Sequence, residues 1–143
     1  MVNSHAILKA LAGTYALINT TTLYNGVPGK DTEFGANPAG QLIYTESGYV
    51  SVVITDAANT TLSFAGPLYI DTDVPSNKIA GQLFYGPIVA SDYPGLIGSK
   101  EHTKYDVVVS DGRIGFPHGT RILSTQSLGH NGTEELAVWR SID

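Results

Sequence analysis

The residues best suited to acid–base chemistry lie in one stretch of the sequence, SKEHTKYDVVVSDGRIGFPHGTRILSTQ (99–126). Glu101, Tyr105 and His118 are its candidate catalytic residues. A carboxylate placed among apolar side chains is desolvated, and a neighbouring imidazole can share or relay its proton. Cofactor-free proton transfer needs a pair of this kind. Such chemistry depends on the elements that position these three side chains.

A tight turn at Asp111-Gly112 is predicted between two strands, since this dipeptide favours two-residue hairpins. That turn places Tyr105 opposite His118, with Glu101 and Tyr105 on the same, mainly apolar, face of the strand. Glu101 then lies roughly 13 Å from Tyr105, so it cannot contact the imidazole directly. The hypothesis is that Glu101 and His118 flank a substrate while Tyr105 holds one of its oxygens. The competing interpretation is that Glu101 and His118 lie in water at the edge of the sheet.

Other kinds of site fit the sequence less well. The four histidines are scattered over distant elements and show no metal-ligand spacing, so no metal is expected. The chain has no cysteine, no Gly-x-Ser-x-Gly motif and no glycine-rich loop that leads from a strand into a helix. Thiolate, serine-hydrolase and nucleotide chemistry are therefore disfavoured, and no cofactor is expected.

Composition limits the partners and the size of the core. With 143 residues, the chain is predicted to form a single domain over 1–143. Charged residues make up 15% of the chain and the net charge is −5, which argues against nucleic acid and membrane surfaces as partners. The N-terminal apolar run is short and is interrupted by Lys9, so neither a signal peptide nor a membrane span is expected. These features, with the absence of cysteine, predict a cytoplasmic protein.

The pattern of apolar residues predicts an all-β fold with one short helix. NSHAILKALAG (3–13) is the one convincing helix signal, with Ser4 as a possible N-cap. Short runs rich in Val, Ile, Thr and Tyr follow, separated by Gly, Pro, Asn and Asp, as in an antiparallel sandwich or barrel. We predict eight or nine strands, near residues 14–24, 40–45, 49–55, 61–70, 78–86, 100–109, 113–117, 120–127 and 134–141.

Aromatic residues suggest a binding site for a small molecule. Tyrosine buries a ring and leaves a hydroxyl to orient a ligand, and the chain has eight tyrosines, one tryptophan and four phenylalanines. A turn at Gly48 places Tyr44 on the inward face, where it either binds ligand or only packs in the core. The candidate ligand-binding residues are Tyr44, Phe116, Trp139, Phe34 and Tyr93.

Several motifs are similar to those of lipocalin-like domain proteins of bacteria and fungi, members of the wider calycin group. They are the helix followed by Gly13-Thr14-Tyr15, the hairpin GQLIYTESGYVS (40–51), FAGPLYI (64–70) and LAVWRSI (136–142). Tyr15 stands where the family usually has Trp, and Ile79-Ala80-Gly81 stands where it often has His. The resemblance covers most of the chain and is strongest over 11–55.

This resemblance implies a closed antiparallel up-and-down barrel of eight or nine strands, with the helix sealing one end. A barrel of that size encloses room for one small ligand. The resemblance also implies that Tyr15 packs against a basic residue of the last strand, Arg140, in a cation–π contact. An NTF2-like cone is the alternative fold, but it needs about three helices.

Two functions of different classes follow. In the first, the protein is a cofactor-independent isomerase, cyclase or dehydratase that acts on a small apolar natural-product intermediate in the barrel, as the resemblance implies. In the second, it is a carrier or sequestering protein for a small hydrophobic ligand. Glu101 and His118 together inside the barrel would favour the enzyme, whereas a purely aliphatic and aromatic interior would favour the carrier.

Overall fold

The computed structural model describes residues 4–28, 38–56, 59–71, 80–113, 115–128 and 133–142. These residues form one α-helix, α1 (Ser4–Leu11), a short 3-10 turn (Pro94–Leu96) and ten strands. The strands are β1 (Gly13–Tyr24), β2 (Val27–Pro28), β3 (Pro38–Tyr44), β4 (Tyr49–Asp56), β5 (Asn59–Ile70), β6 (Ala80–Tyr85), β7 (Ala90–Ser91), β8 (Glu101–Val109), β9 (Arg121–Leu128) and β10 (Glu134–Ser141). No helix in this part of the chain has the length and apolar character needed to cross a membrane.

Eight of the strands form a closed antiparallel barrel. Neighbouring strands follow the order β10-β9-β8-β6-β5-β4-β3-β1, and β1 pairs with β10 to close the circle. The two-residue strands β2 and β7 lie beside this path, on β1 and β5 respectively. The prediction of an all-β barrel with one short N-terminal helix is therefore confirmed.

The hairpin of β3 and β4 shows why these residues form strands. Inward and outward side chains alternate, so Tyr44 is buried while Tyr49 is 57% exposed. Gly48 takes a φ of 92° in the turn, a conformation that favours glycine. The inward face carries four further apolar residues, Leu42, Val50, Val52 and Ile54, all buried.

A bulge in β1 sets which of its residues face the barrel interior. Leu17 pairs with Trp139 and Asn19 with Val138, so Ile18 is an extra residue in the ladder. A one-residue insertion moves every following side chain of the strand to the opposite face of the sheet. As a result, Tyr15 and Leu17 face inward before the bulge, and Thr20 and Thr22 face inward after it.

The helix covers one end of the barrel, which we call the closed end. Ile7 and Leu11 of α1 are buried in the core, and the hydroxyl of Tyr15 donates a hydrogen bond to the carbonyl of Leu11 at 2.7 Å. The guanidinium of Arg121 donates to the carbonyls of Ala10 and Ala12, at 2.9 and 2.8 Å. Arg121 therefore ties the end of the helix to β9.

The same arginine makes the cation–π contact that the resemblance to lipocalin-like proteins assigns to Arg140. The Arg121 guanidinium carbon lies 5.2 Å from the centre of the Tyr15 ring. Arg140 is exposed. The assignment to Arg140 is wrong because Arg140 alternates with the buried Trp139 and so points away from the interior.

The connection between β8 and β9 also differs from the prediction. Tyr105 pairs with Thr125, not with His118. The pairing of β8 with β9 ends at Val109 and Arg121. The described residues between 110 and 120 contain no strand, so the expected strand at 113–117 and the two-residue turn at Asp111-Gly112 are wrong.

Buried Ser110 and two glycines explain this longer loop. The Ser110 hydroxyl donates to the carbonyl of Phe116 at 3.0 Å and accepts from the N–H of Gly112 at 3.1 Å. The backbone N–H of Ser110 donates to the carbonyl of Thr120 at 2.7 Å. Gly115 and Gly119 take positive φ values of 85° and 92°, and Pro117 has no N–H to offer a ladder. Asn131-Gly132 is another dipeptide that favours a two-residue turn, and it lies outside the described residues.

Replacing Arg121 by Met should lower the free energy of unfolding by about 2–3 kcal/mol, because two charge-assisted hydrogen bonds and one cation–π contact are lost. Arg140→Met is the matched control and should change stability by less than about 0.5 kcal/mol, as is usual for exposed sites. Guanidinium denaturation of both variants measures the difference. Equal losses would contradict the role given to Arg121.

Candidate functional site

Four aromatic rings meet inside the barrel near its closed end. Tyr44 at the end of β3 packs edge-on against Tyr15, with ring centres 6.1 Å apart. Tyr85 at the end of β6 lies 6.2 Å from Tyr44 and 5.5 Å from Phe64. Tyr15, Tyr44 and Tyr85 are buried, because each occupies an inward position of its strand. This cluster is the aromatic half of the interior.

Polar contacts connect this cluster to the neighbouring strands. The hydroxyls of Tyr44 and Tyr85 share a hydrogen bond of 2.5 Å. Tyr85 also bonds to the side chain of Thr103 on β8. The Thr103 hydroxyl in turn lies 2.8 Å from that of Ser127 on β9. Four hydroxyls on four strands therefore form one chain inside the barrel, which we call the hydroxyl chain.

Burial keeps the two tyrosines of this chain in the protonated form. Desolvation raises the pKa of Tyr44 well above its usual value, and the adjacent Tyr85 raises it further. Desolvation also raises the pKa of Tyr85, and its hydrogen bonds to Tyr44 and Thr103 only partly offset this effect. Both hydroxyls are therefore neutral at physiological pH and act as hydrogen-bonding groups rather than as bases.

A second polar group lies on the strands where the barrel closes. The Thr22 hydroxyl on β1 donates to the carboxylate of Glu135 on β10 at 2.9 Å, and both residues are buried. Glu135 pairs in register with Ser127, which pairs with Thr103. A row of inward polar residues thus runs across β1, β10, β9 and β8. We call this row and its inward neighbour Thr20 the polar half of the interior.

Thr20 differs from the other hydroxyl residues of the polar half. Its Oγ1 atom is buried and has no hydrogen-bond partner in the described part of the chain. Thr20 pairs with Ala137, which is buried and small, and Ala137 pairs with Thr125. The next strands contribute Tyr105 and, in register with it, Gly81. Two of the five positions in this row therefore carry little or no side chain.

The sequence-predicted catalytic residues are not brought together. Glu101 is half-buried on the inward face at the start of β8, where its Oε1 accepts a hydrogen bond of 3.1 Å from the Ser99 hydroxyl. Tyr105 is buried on the same face. His118 is exposed in the loop that follows β8. Glu101 lies at the start of β8, and the two ends of this strand are about 26 Å apart. The interior therefore holds Glu101 and Tyr105 without His118.

The predicted ligand-binding residues are also divided. Tyr44 and Trp139 are buried inside the barrel, and the Trp139 indole N–H lies 3.3 Å from the Thr125 hydroxyl. Phe116 is half-buried in the loop before β9, and Tyr93 is 51% exposed in the loop before β8. Phe34 lies outside the described residues.

Sequence reasoning did not select Tyr85, Thr103, Ser127, Thr22 or Glu135. The alternation of side chains along a strand could have identified Tyr85 and Thr103 as inward, because each lies two residues from another inward position on its strand. Alternation along β1 could not identify Thr22 as inward, because the bulge at Ile18 reverses the alternation and no local sequence pattern predicts this bulge. Within the described residues, no group of three His, Cys, Asp or Glu side chains could hold a metal ion.

The fold and this interior define a small closed antiparallel β-barrel whose core is aromatic on one side and hydroxyl-rich on the other. Comparisons of the chain with protein-family models, with curated proteins and with solved structures gave no significant match.

The raised pKa values of Tyr44 and Tyr85 predict a loss of stability at high pH. Above about pH 10 the unfolded chain releases these two protons while the folded protein keeps them, so the free energy of unfolding falls as pH rises. The fall should approach about 1.4 kcal/mol per pH unit for each hydroxyl. Guanidinium denaturation between about pH 8 and 11 measures it. The double variant Tyr44→Phe/Tyr85→Phe should show a shallower slope, and an unchanged slope would contradict the assignment.

Proposed function

We propose that the protein binds a small, largely apolar organic molecule inside the barrel and acts as a carrier or sequestering protein for it. The observation that carries this proposal is the row of inward positions Thr20, Ala137, Thr125, Tyr105 and Gly81. It combines little side-chain volume at Ala137 and Gly81 with a buried hydroxyl at Thr20 that has no described partner. Buried polar groups are normally paired, so a ligand that fills this row would supply the missing partner.

The remainder of the interior supports the same class of ligand. Most buried inward side chains are aliphatic or aromatic, which suits an apolar molecular body. The hydroxyl chain offers a small number of fixed hydrogen-bonding groups, which suits one or two polar substituents. Because the two tyrosines of that chain are neutral, they favour recognition over proton transfer.

The proposal includes kinship with the lipocalin-like proteins and a cytoplasmic location. An eight-stranded closed barrel with a helix before its first strand supports the first, together with the motifs at 13–15 and 40–51. The absence of cysteine supports the second.

Filling the interior should abolish binding without harming the fold. Ala137→Leu adds side-chain volume beside Thr20. If the row is open, this variant should keep wild-type stability. Its affinity for the neutral probe N-phenyl-1-naphthylamine should fall by about tenfold or more. Energy transfer from Trp139, the one tryptophan of the chain, reports a bound probe, and loss of the signal in Ala137→Leu assigns that probe to the interior. Ala90→Leu adds the same atoms at an exposed position and is the control.

Two results would contradict the carrier proposal. One is a wild-type protein that gives no saturable energy transfer to the probe. The other is an Ala137→Leu variant destabilised by about 1–3 kcal/mol, the cost of overpacking, because the row would then be filled by the protein's own atoms.

A second candidate is the cofactor-independent isomerase, cyclase or dehydratase, and Glu101 is the observation in its favour. Its half-buried carboxylate shares the inward face with Tyr105 and pairs in register with Tyr85. Without His118, Glu101 would have to remove a proton from a bound molecule and return it at another atom. Neutral tyrosine hydroxyls nearby would stabilise negative charge on the substrate oxygen.

Proton abstraction by Glu101 predicts measurable base catalysis. The wild-type protein should open 5-nitrobenzisoxazole, a general probe for a carboxylate base in an apolar site, faster than the same concentration of acetate. Glu101→Gln should lower the protein's rate by about 10²-fold or more, the usual scale for a general base, at unchanged melting temperature. Equal rates for the two proteins would leave the carrier as the better proposal.

A further inference from the structure

The outer surface near the closed end carries a depression separate from the barrel interior. It has a volume of about 420 Å³ and is formed by the turn at 116–120 and by residues 140–142 at the end of β10. Its volume falls in the range of small-molecule sites. His118 and Phe116, which the sequence assigns to the interior, lie here instead.

The depression carries the positive charge of Arg140. Arg140 and His118 both line it, and none of the lining residues in the described part of the chain is acidic. The ion pairs found among the described residues, His102 with Asp71 and Arg113 with Asp111, include neither of them. Arg140 points outward from β10, so its guanidinium is exposed and available to a ligand.

Apolar and hydroxyl groups complete the lining. Phe116 is half-buried and Ile142 is 50% exposed, so both present apolar surface to the depression. The Ser141 hydroxyl accepts the backbone N–H of Arg121 at 2.9 Å, which leaves its own proton to donate. Thr120 contributes a second hydroxyl. Cation, hydrogen-bond donors and apolar surface thus occur side by side.

We propose that this depression binds a small organic carboxylate. The planar Arg140 guanidinium would pair with the carboxylate, the His118 ring and the Ser141 hydroxyl would donate to it, and the apolar body would lie against Phe116 and Ile142. This site is independent of the proposed interior function, because its lining residues lie outside the barrel core.

Benzoate is the probe, and benzamide, which has the same shape without charge, is the matched control. In a ¹H–¹⁵N NMR titration, benzoate should shift the amide signals of residues 116, 118–120 and 140–142 in a saturable way, with a Kd of about 1–10 mM. Benzamide should bind at least about threefold more weakly. Arg140→Gln should weaken benzoate by about three- to tenfold, while Lys100→Gln, at an exposed site near the far end of β8, should leave it unchanged.

Several outcomes would overturn the proposal. They are equal binding of benzoate and benzamide, shifts spread over the whole surface, and unchanged affinity in Arg140→Gln. Ala137→Leu separates this site from the interior, since it should not change benzoate binding at 116–120. If benzoate instead shifts only the signals of inward residues, the external site is absent while the interior proposal stands.

Discussion

A hydroxyl enclosed by the barrel needs a hydrogen-bond partner, and four strands of the barrel are joined by that requirement. Leaving a buried hydroxyl unpaired costs about 1–3 kcal/mol, a large fraction of the stability of a small domain. Tyr44, Tyr85, Thr103 and Ser127 meet the requirement by bonding to one another across four strands. Their strands are therefore held in register by side chains as well as by the backbone ladder.

The bulge at Ile18 decides which side of the interior is polar. Without the extra residue, Thr20 and Thr22 would face solvent and their neighbours Asn19 and Thr21 would turn inward. With it, Thr22 reaches Glu135 across the closing strand pair. The aromatic half then lies towards the helix and the polar half lies beyond the bulge. An elongated ligand with one apolar end and one hydrogen-bonding end would match this division.

Much of the fold could be predicted from the sequence because its signals are local. The hairpin at Gly48 and the inward position of Tyr44 follow from turn chemistry and alternation alone. The loop before β9 could not be predicted, since Asp111-Gly112 favours a tight turn but Ser110 binds Phe116 six residues away. Arg121 was missed for a related reason, because its contacts with Ala10 and Ala12 span more than a hundred residues. Local patterns carry no information about such distant partners.

Pairing of the first and last long strands has a consequence for how the chain folds. During synthesis β1 emerges before the other strands of the barrel, whereas its partner β10 emerges after them. Until then β1 and β9 each present an unpaired edge, and such edges invite pairing with other chains. The contacts between β1 and β10 also span most of the sequence, which makes them slow to form. Folding should therefore be limited by this last step, and the incomplete barrel is the form most exposed to aggregation.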